Sequence, residues 1–152
     1  MGAESHALGH ALKRGTLLVA SRDDRLSATV RGLNGSLEME VDVVAQGRDL
    51  ISKIAVPGLL PHEGDGGSIR LLLLDDDLVD GRGRTLLRYI HSVRPDLKVI
   101  FTAGGGAQSV EVEVRREGVY FFLPKPVSME ILRKVVAKAI EHESTRNRWK
   151  VG

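Results

Sequence analysis

The sequence contains no cysteine among its 152 residues. This absence excludes a disulfide framework and a cysteine-based zinc site, and it fits a reducing compartment. Long apolar runs are also missing, since none approaches the ~20 residues that a membrane-spanning helix needs. Residues 1–14 lack the continuous apolar core of a signal peptide. We therefore expect a cytoplasmic protein with no membrane partner.

A strong excess of charge of either sign is lacking as well. The formal net charge is +2, from 22 Lys and Arg against 20 Asp and Glu. Such a balance does not indicate direct nucleic-acid binding by the domain. The length and a hydrophobic fraction of 42% fit one domain with a sizeable core. We expect this domain over residues 15–142, with a flexible segment at 1–14 and a tail or linker at 143–152.

Five short apolar runs predict β-strands. Several are continuous rather than alternating, which is typical of strands buried on both faces of a parallel sheet. The runs are Thr16–Ala20, Met39–Val44, Ile69–Leu74, Lys98–Ala103 and Val119–Leu123.

Segments with a helical spacing of apolar residues separate these runs. They are Asp24–Leu33, Asp49–Ala55, Arg84–Val93 and Met129–Glu143. The segment Ala107–Glu117 is ambiguous, because its VEVEV run alternates like a strand. Its place between two buried strands requires a crossover, so we assign it to a helix. The resulting order βαβαβαβαβα predicts an α/β fold with a doubly wound, parallel, five-stranded sheet.

Chemically active side chains gather where the predicted strands end. Ligands of an open α/β sheet bind at the carboxyl ends of its strands. A carboxylate there can attack a phosphoryl group, while a hydroxyl and an ammonium hold the phosphoryl oxygens. The candidates are Asp75, Asp76 and Asp77 after the third run, Thr102 in the fourth, and Lys125 after the fifth.

Three segments resemble the receiver domain of bacterial two-component response regulators. They are LLLLD ending at Asp75, VIFTA containing Thr102, and YFFLPKP containing Lys125 and Pro126. The resemblance covers roughly residues 15–142. It implies the flavodoxin-like (βα)5 receiver fold and a role in phosphorelay signal transduction rather than an enzyme.

The resemblance also implies a role for single residues. Asp75 matches the phosphoacceptor, Thr102 the switch hydroxyl and Lys125 the phosphate-binding lysine. Phe122 matches the aromatic switch that turns inward on activation. The bond between Lys125 and Pro126 is expected to be cis, as in the family.

The acidic metal site of the family is not matched. The family places two adjacent acidic residues after the first strand, where they help bind Mg²⁺, but Ser21 and Arg22 stand there. Of the expected ligands only Asp75 is retained, and Mg²⁺ binding is therefore in doubt. Asp24 and Asp77 are weaker candidates, because Asp24 suits the N-cap of the first helix and Asp77 a solvated position.

We hypothesise that Arg22 takes the place of the metal ion by pairing with Asp75 or Asp77. Magnesium-dependent phosphorylation would then be weak or absent, and this atypical receiver would act through protein contacts. Asp76 is expected to face away from the site. The loop also departs from the family pattern, since Arg82-Gly83 stands where Asp-Gly is usual.

Several partners and two other functions follow as expectations. The resemblance implies a histidine kinase or another signalling protein, a homodimer through the face of helix four, strand five and helix five, and a C-terminal output domain absent from this chain.

The alternative function is a haloacid-dehalogenase-like phosphatase using Asp75 and Asp77, although that family normally carries its aspartates on the first strand. Nucleotide binding through Gly104–Gly106 is disfavoured, because the spaced G-x-G-x-x-G pattern is missing.

Overall fold

A computed structural model describes residues 15–37, 39–55, 69–106 and 108–151, with side chains described up to residue 141. The predicted flexible segment 1–14 lies outside these residues. We number the strands of the main sheet β1 to β5 and the α-helices α1 to α5. The elements are β1 Thr16–Ala20, α1 Asp24–Gly32, β2 Glu40–Val44, α2 Gly47–Ile54, β3 Ile69–Asp75, α3 Leu87–Val93, β4 Lys98–Ala103, α4 Gln108–Arg116, β5 Phe121–Pro124 and α5 Met129–Val151.

The five strands form one parallel sheet in the order β2-β1-β3-β4-β5. This order reverses direction between β1 and β3, which is the switch point of a flavodoxin-like doubly wound fold. The predicted fold class is therefore confirmed. The carboxyl ends of β1, β3, β4 and β5 meet at one edge of the sheet, where a ligand site is expected.

The hydrophobic core consists of two layers, one on each face of the sheet. Side chains of a strand alternate between the faces, so Leu17 and Leu18 enter different layers. The helices α1 and α5 cover the layer that contains Leu17, while α2, α3 and α4 cover the layer that contains Leu18. Burial on both faces explains why the strands read as continuous apolar runs.

The ambiguous VEVEV segment forms the helix α4, as predicted. Val110 and Val114, four positions apart, are buried against the core, whereas Val112 is 52% exposed. A strand would have placed all three valines on one face, but a helix places only the residues four apart there. The tertiary requirement for a crossover therefore overrides the local alternation.

The third helical segment is less regular than its apolar spacing predicts. A 3-10 turn, Gly83–Leu86, precedes α3. Before it lies a short antiparallel hairpin of Asp77–Leu78 with Gly81–Arg82, which the sequence does not predict.

The last helix extends further than its apolar spacing indicates. It runs to Val151, through most of the segment predicted as a tail or linker, and that domain boundary stays a prediction. Ser128 Oγ accepts a hydrogen bond from Ile131 N at 3.3 Å near its start. No helix in the described part of the chain is long and apolar enough to cross a bilayer.

Candidate functional site

Asp75 is the last residue of β3 and its side chain is fully buried. Three donors satisfy the two carboxylate oxygens. Ser21 Oγ and Lys125 Nζ donate to Oδ2 at 2.6 and 2.7 Å, and the Asp77 amide donates to Oδ1 at 3.0 Å. A buried carboxylate is stable only when it is hydrogen-bonded and paired in this way.

Lys125 lies between two carboxylates at the carboxyl end of β5. Its Nζ is 2.7 Å from Asp75 Oδ2 and 2.8 Å from Asp23 Oδ2. Burial lowers the pKa of Lys125, but the hydrogen bonds to Asp23 and Asp75 raise the pKa more, so the net direction is upward. The Lys125–Pro126 peptide bond is cis, as expected.

Asp23 is a site residue that the sequence reasoning missed. Its Oδ1 accepts from the amides of Arg25 and Leu26 at 2.9 and 3.3 Å, so Asp23 is the N-cap of α1. The expectation that Asp24 caps this helix is wrong, because α1 already begins at Asp24. The hydrogen bond from Lys125 is the main cause that lowers the pKa of Asp23. The available signal was its position three residues before Leu26, the first buried residue of the helix.

Ser21 explains how the chain turns toward the site. β1 ends at Ala20, and Ser21 Oγ accepts the Asp23 amide at 2.9 Å while it donates to Asp75. The side chain of Ser21 is 1% exposed. Ser21, which stands where the resemblance leads one to expect an acid, therefore hydrogen-bonds directly to Asp75.

Arg22 does not neutralise Asp75. Its Nε lies 3.2 Å from Asp77 Oδ1, and the side chains of this pair are 54% and 56% exposed. The cation next to Asp75 is Lys125, so of the two predicted pairings of Arg22 the structure forms the one with Asp77.

Asp76 does not simply face away, since it lines the same cavity as Asp75. It is 5% exposed, and its Oδ1 accepts the Arg84 amide at 3.1 Å. The side chains of Arg82 and Arg84 form ion pairs with the same carboxylate. Arg82 Nη1 lies 3.4 Å from Oδ2, and Arg84 Nε lies 3.5 Å from Oδ1. These two arginines make a second buried carboxylate tolerable, and no motif pointed to them.

The cavity has a volume of about 390 Å³ and opens beside the strand ends. Its walls come from the ends of β3 and β4, from the loop after each, and from the start of α4. The lining residues include Asp75, Arg82, Arg84, Gly104, Gly105 and Ser109. Two of the three glycines of the disfavoured nucleotide hypothesis, Gly104 and Gly105, are thus part of the wall of this cavity.

Gly83 is required by a close approach to the site. A Cβ at this position would collide with the carbonyl oxygen of Asp75 and lie 3.0 Å from its carbonyl carbon. The Gly83 amide also donates to the Asp76 carbonyl at 3.0 Å. The glycine therefore lets the chain fold back over the end of β3.

Thr102 lies on β4, the strand next to Asp75, and Phe122 lies on β5, one strand further from it. Thr102 pairs in register with Asp75 and is fully buried. Its Oγ1 has no hydrogen-bond partner among the residues that the structure describes. Phe122 is turned inward, 4% exposed, and stacks on Phe101 with 6.3 Å between the ring centroids.

The donor set fits Mg²⁺ poorly. Mg²⁺ takes octahedral oxygen ligands, commonly carboxylates together with waters. At this edge Asp75 and Asp23 share the ammonium of Lys125, and Ser21 donates to the same Asp75 oxygen. Across residues 15–141, apart from the gaps, no group of three or more metal-binding side chains is assembled. We therefore derive no step through a metal ion.

Known proteins support the receiver assignment in sequence. The chain is 30% identical over 78 residues to the sensor kinase CckA of Brucella abortus, covering 51% of this chain and 8% of that protein. It is 34% identical over 70 residues to the response regulator protein PilR of Pseudomonas aeruginosa, covering 46% of this chain and 16% of that protein. The chain thus spans a small part of these relatives. No protein-family model matches it.

Solved structures support the same assignment in three dimensions. A CheY-like response regulator receiver domain protein from Methanospirillum hungatei has a TM-score of 0.69 and 26% identity. The similarity covers 86% of this chain and 98% of that one. The fold, and the sequence similarity over about half of this chain, are those of receiver domains of the two-component type. The phosphatase alternative, which needs Asp75 and Asp77 together, has no support in these matches.

Proposed function

We propose that the chain is an atypical signalling receiver in which Asp75 is the phosphoacceptor position and Lys125 and Ser21 hold its carboxylate. The observation that carries this proposal is the double hydrogen bond at Asp75 Oδ2, at 2.6 Å from Ser21 and 2.7 Å from Lys125. An ammonium and a hydroxyl here do the charge neutralisation and orientation that a metal ion would otherwise supply.

This arrangement impairs magnesium-dependent phosphorylation. A cation at Asp75 would have to displace Lys125, which also binds Asp23. Neither Ser21 nor Arg22 offers a carboxylate in return. The nucleophilic oxygen also loses reactivity, because two donors stabilise its negative charge in the ground state.

The remaining roles follow from position. Thr102, with its unsatisfied Oγ1, is the hydroxyl that would engage a phosphoryl group on Asp75. Phe122 is the aromatic switch, and its inward ring corresponds to the activated orientation in the family. The signal is then read through protein contacts rather than through a chemical product.

The partners we propose are a histidine kinase or another signalling protein. The face made by α4, β5 and α5 is the proposed contact surface, including a homodimer, and it exposes Val112 and Phe121. A response regulator such as PilR is much longer than the matched region, which supports an output domain outside this chain.

Mass spectrometry with acetyl phosphate, with and without Mg²⁺, tests the proposal. We expect little labelling of the wild-type protein, and gain of magnesium-dependent labelling in Arg22→Asp, which restores one acid of the family pair. Arg25→Asp is the matched control, because it makes the same charge change on an exposed residue of α1. Labelling of Arg22→Asp that persists after Asp75→Asn, or stoichiometric labelling of the wild type, would refute the proposal.

A further inference from the structure

One arginine joins the strand end that carries the site to the helix α4. Arg84 Nε lies 3.5 Å from Asp76 Oδ1, and its Nη1 lies 3.6 Å from Glu113 Oε1. Asp76 directly follows Asp75, and Glu113 belongs to α4. A planar guanidinium offers donors on separate edges, so one side chain can bind two carboxylates at once.

The strand-side half of this bridge is rigid. The Arg84 amide also donates to Asp76 Oδ1 at 3.1 Å, so backbone and side chain of Arg84 share one anchor. The Asp76 amide in turn donates to the Thr102 carbonyl at 2.9 Å on β4. The Arg84 side chain is 27% exposed, whereas Glu113 is 56% exposed. Because Asp76 binds both the amide and the side chain of Arg84, a shift of the strand end should move Arg84 with it.

We propose that Arg84 is a positioning residue that couples the Asp75 strand end to α4 through the bridge Asp76–Arg84–Glu113. The strand-side end of the bridge borders the cavity beside Asp75, because Asp76 and Arg84 both line it. Any group bound in the cavity changes the surroundings of Arg84 and so alters its contact with Glu113 of α4. The coupling does not depend on phosphorylation of Asp75, and it would remain if the proposed function failed.

Hydrogen exchange followed by mass spectrometry tests this coupling without a phosphodonor. The peptides of interest cover α4 and residues 76–84. We expect Asp76→Asn to raise exchange in α4 about two- to threefold, the size expected when the partly exposed Arg84–Glu113 contact is loosened. Glu113→Gln should raise exchange in residues 76–84, because coupling between two sites is reciprocal.

The double variant and a conservative variant separate coupling from general loosening. In the double variant Asp76→Asn with Glu113→Gln, exchange in α4 should be no faster than in the more affected single variant. Both substitutions break the same bridge, so the second has nothing further to remove. Arg84→Lys should behave like Glu113→Gln, because lysine lacks the two separate donors, Nε and Nη1, that reach Asp76 and Glu113. If Asp76→Asn does not fold, Glu113→Gln still reports through residues 76–84, because Glu113 is half-exposed.

Glu117→Gln provides the matched control. Glu117 follows α4 and pairs with Arg88 of α3 at 3.5 Å, a contact of the same chemistry that does not include Asp76. Its loss should leave exchange in residues 76–84 unchanged. The proposal is overturned if Asp76→Asn leaves α4 unchanged, if the effects of the two single variants multiply in the double variant, or if Glu117→Gln matches Glu113→Gln.

Discussion

At the scale of single residues, the site depends on which group stands next to Asp75. The sequence predicts Asp75, Thr102 and Lys125 at one edge of the sheet, and the structure brings all three strand ends together there. The sequence does not predict that Ser21 donates to Asp75, or that Asp23 pairs with Lys125. These contacts arise from the turn after β1, where one hydroxyl accepts an amide and donates to a carboxylate. Spacing along the chain carries no signal for such a turn.

Replacement of Gly83 by alanine tests the close approach at the end of β3. The new Cβ would collide with the Asp75 carbonyl, so either β3 or the following 3-10 turn must shift. We expect a loss of about 1–3 kcal/mol in the free energy of unfolding, measured by urea denaturation. Gly105→Ala is the control, because its Cβ would meet nothing within 4 Å, and it should stay within about 0.5 kcal/mol of wild type. Equal stability of the two variants would contradict this account of Gly83.

At the scale of elements, the loop after β3 fastens two neighbouring segments. The Val79 amide donates to the Ala45 carbonyl at 3.0 Å, and Asp80 accepts the amides of Gly47 and Arg48 at 2.6 and 3.2 Å. Asp80 therefore caps α2 from a distant part of the chain. The sequence does not reveal this cap, because Asp80 lies 33 residues from the Gly47 amide that it binds.

Titration of Asp80 tests this cap. The hydrogen bond from the Gly47 amide lowers the pKa of Asp80 below the ordinary value of 3.8. A lowered folded-state pKa means that the cap stabilises α2 above pH 3.8 and is lost as the pH falls through the lower value. In NMR spectra, the Gly47 amide shift should titrate with a midpoint below 3.8 in wild type, and this step should vanish in Asp80→Asn. A midpoint at or above 3.8 would contradict the cap.

The elements themselves were predictable to different degrees. Apolar runs located all five strands, because burial on both faces leaves few polar positions in the central strands, whereas the edge strand β2 carries Glu40 and Asp42. The helix α4 required a topological argument, since Val110, Val112 and Val114 alternate with glutamates. The hairpin of Asp77–Leu78 with Gly81–Arg82 was not predicted, because each of its strands has only two residues and its pairing depends on tertiary contacts.

At the scale of the whole molecule, one sheet separates two core layers that must form together. Val30 of α1 and Val114 of α4 are both fully buried, one in each layer. Each Val→Ala change removes two methyl groups and should cost about 2–3 kcal/mol, including the cavity. Because the sheet lies between them, the two losses should add within about 0.5 kcal/mol in urea denaturation. Two separate transitions would show instead that the layers unfold independently.

In the proposed site, the ammonium of Lys125 takes the place of a metal ion between Asp75 and Asp23. A magnesium titration followed by NMR tests it most directly, with the Asp77 amide as the probe, because that amide donates to Asp75 Oδ1. We predict no saturable shift of this amide in wild type at low millimolar magnesium, and a saturable shift in the double variant Ser21→Asp with Arg22→Asp. A saturable shift of the same size in the wild-type protein would contradict the account.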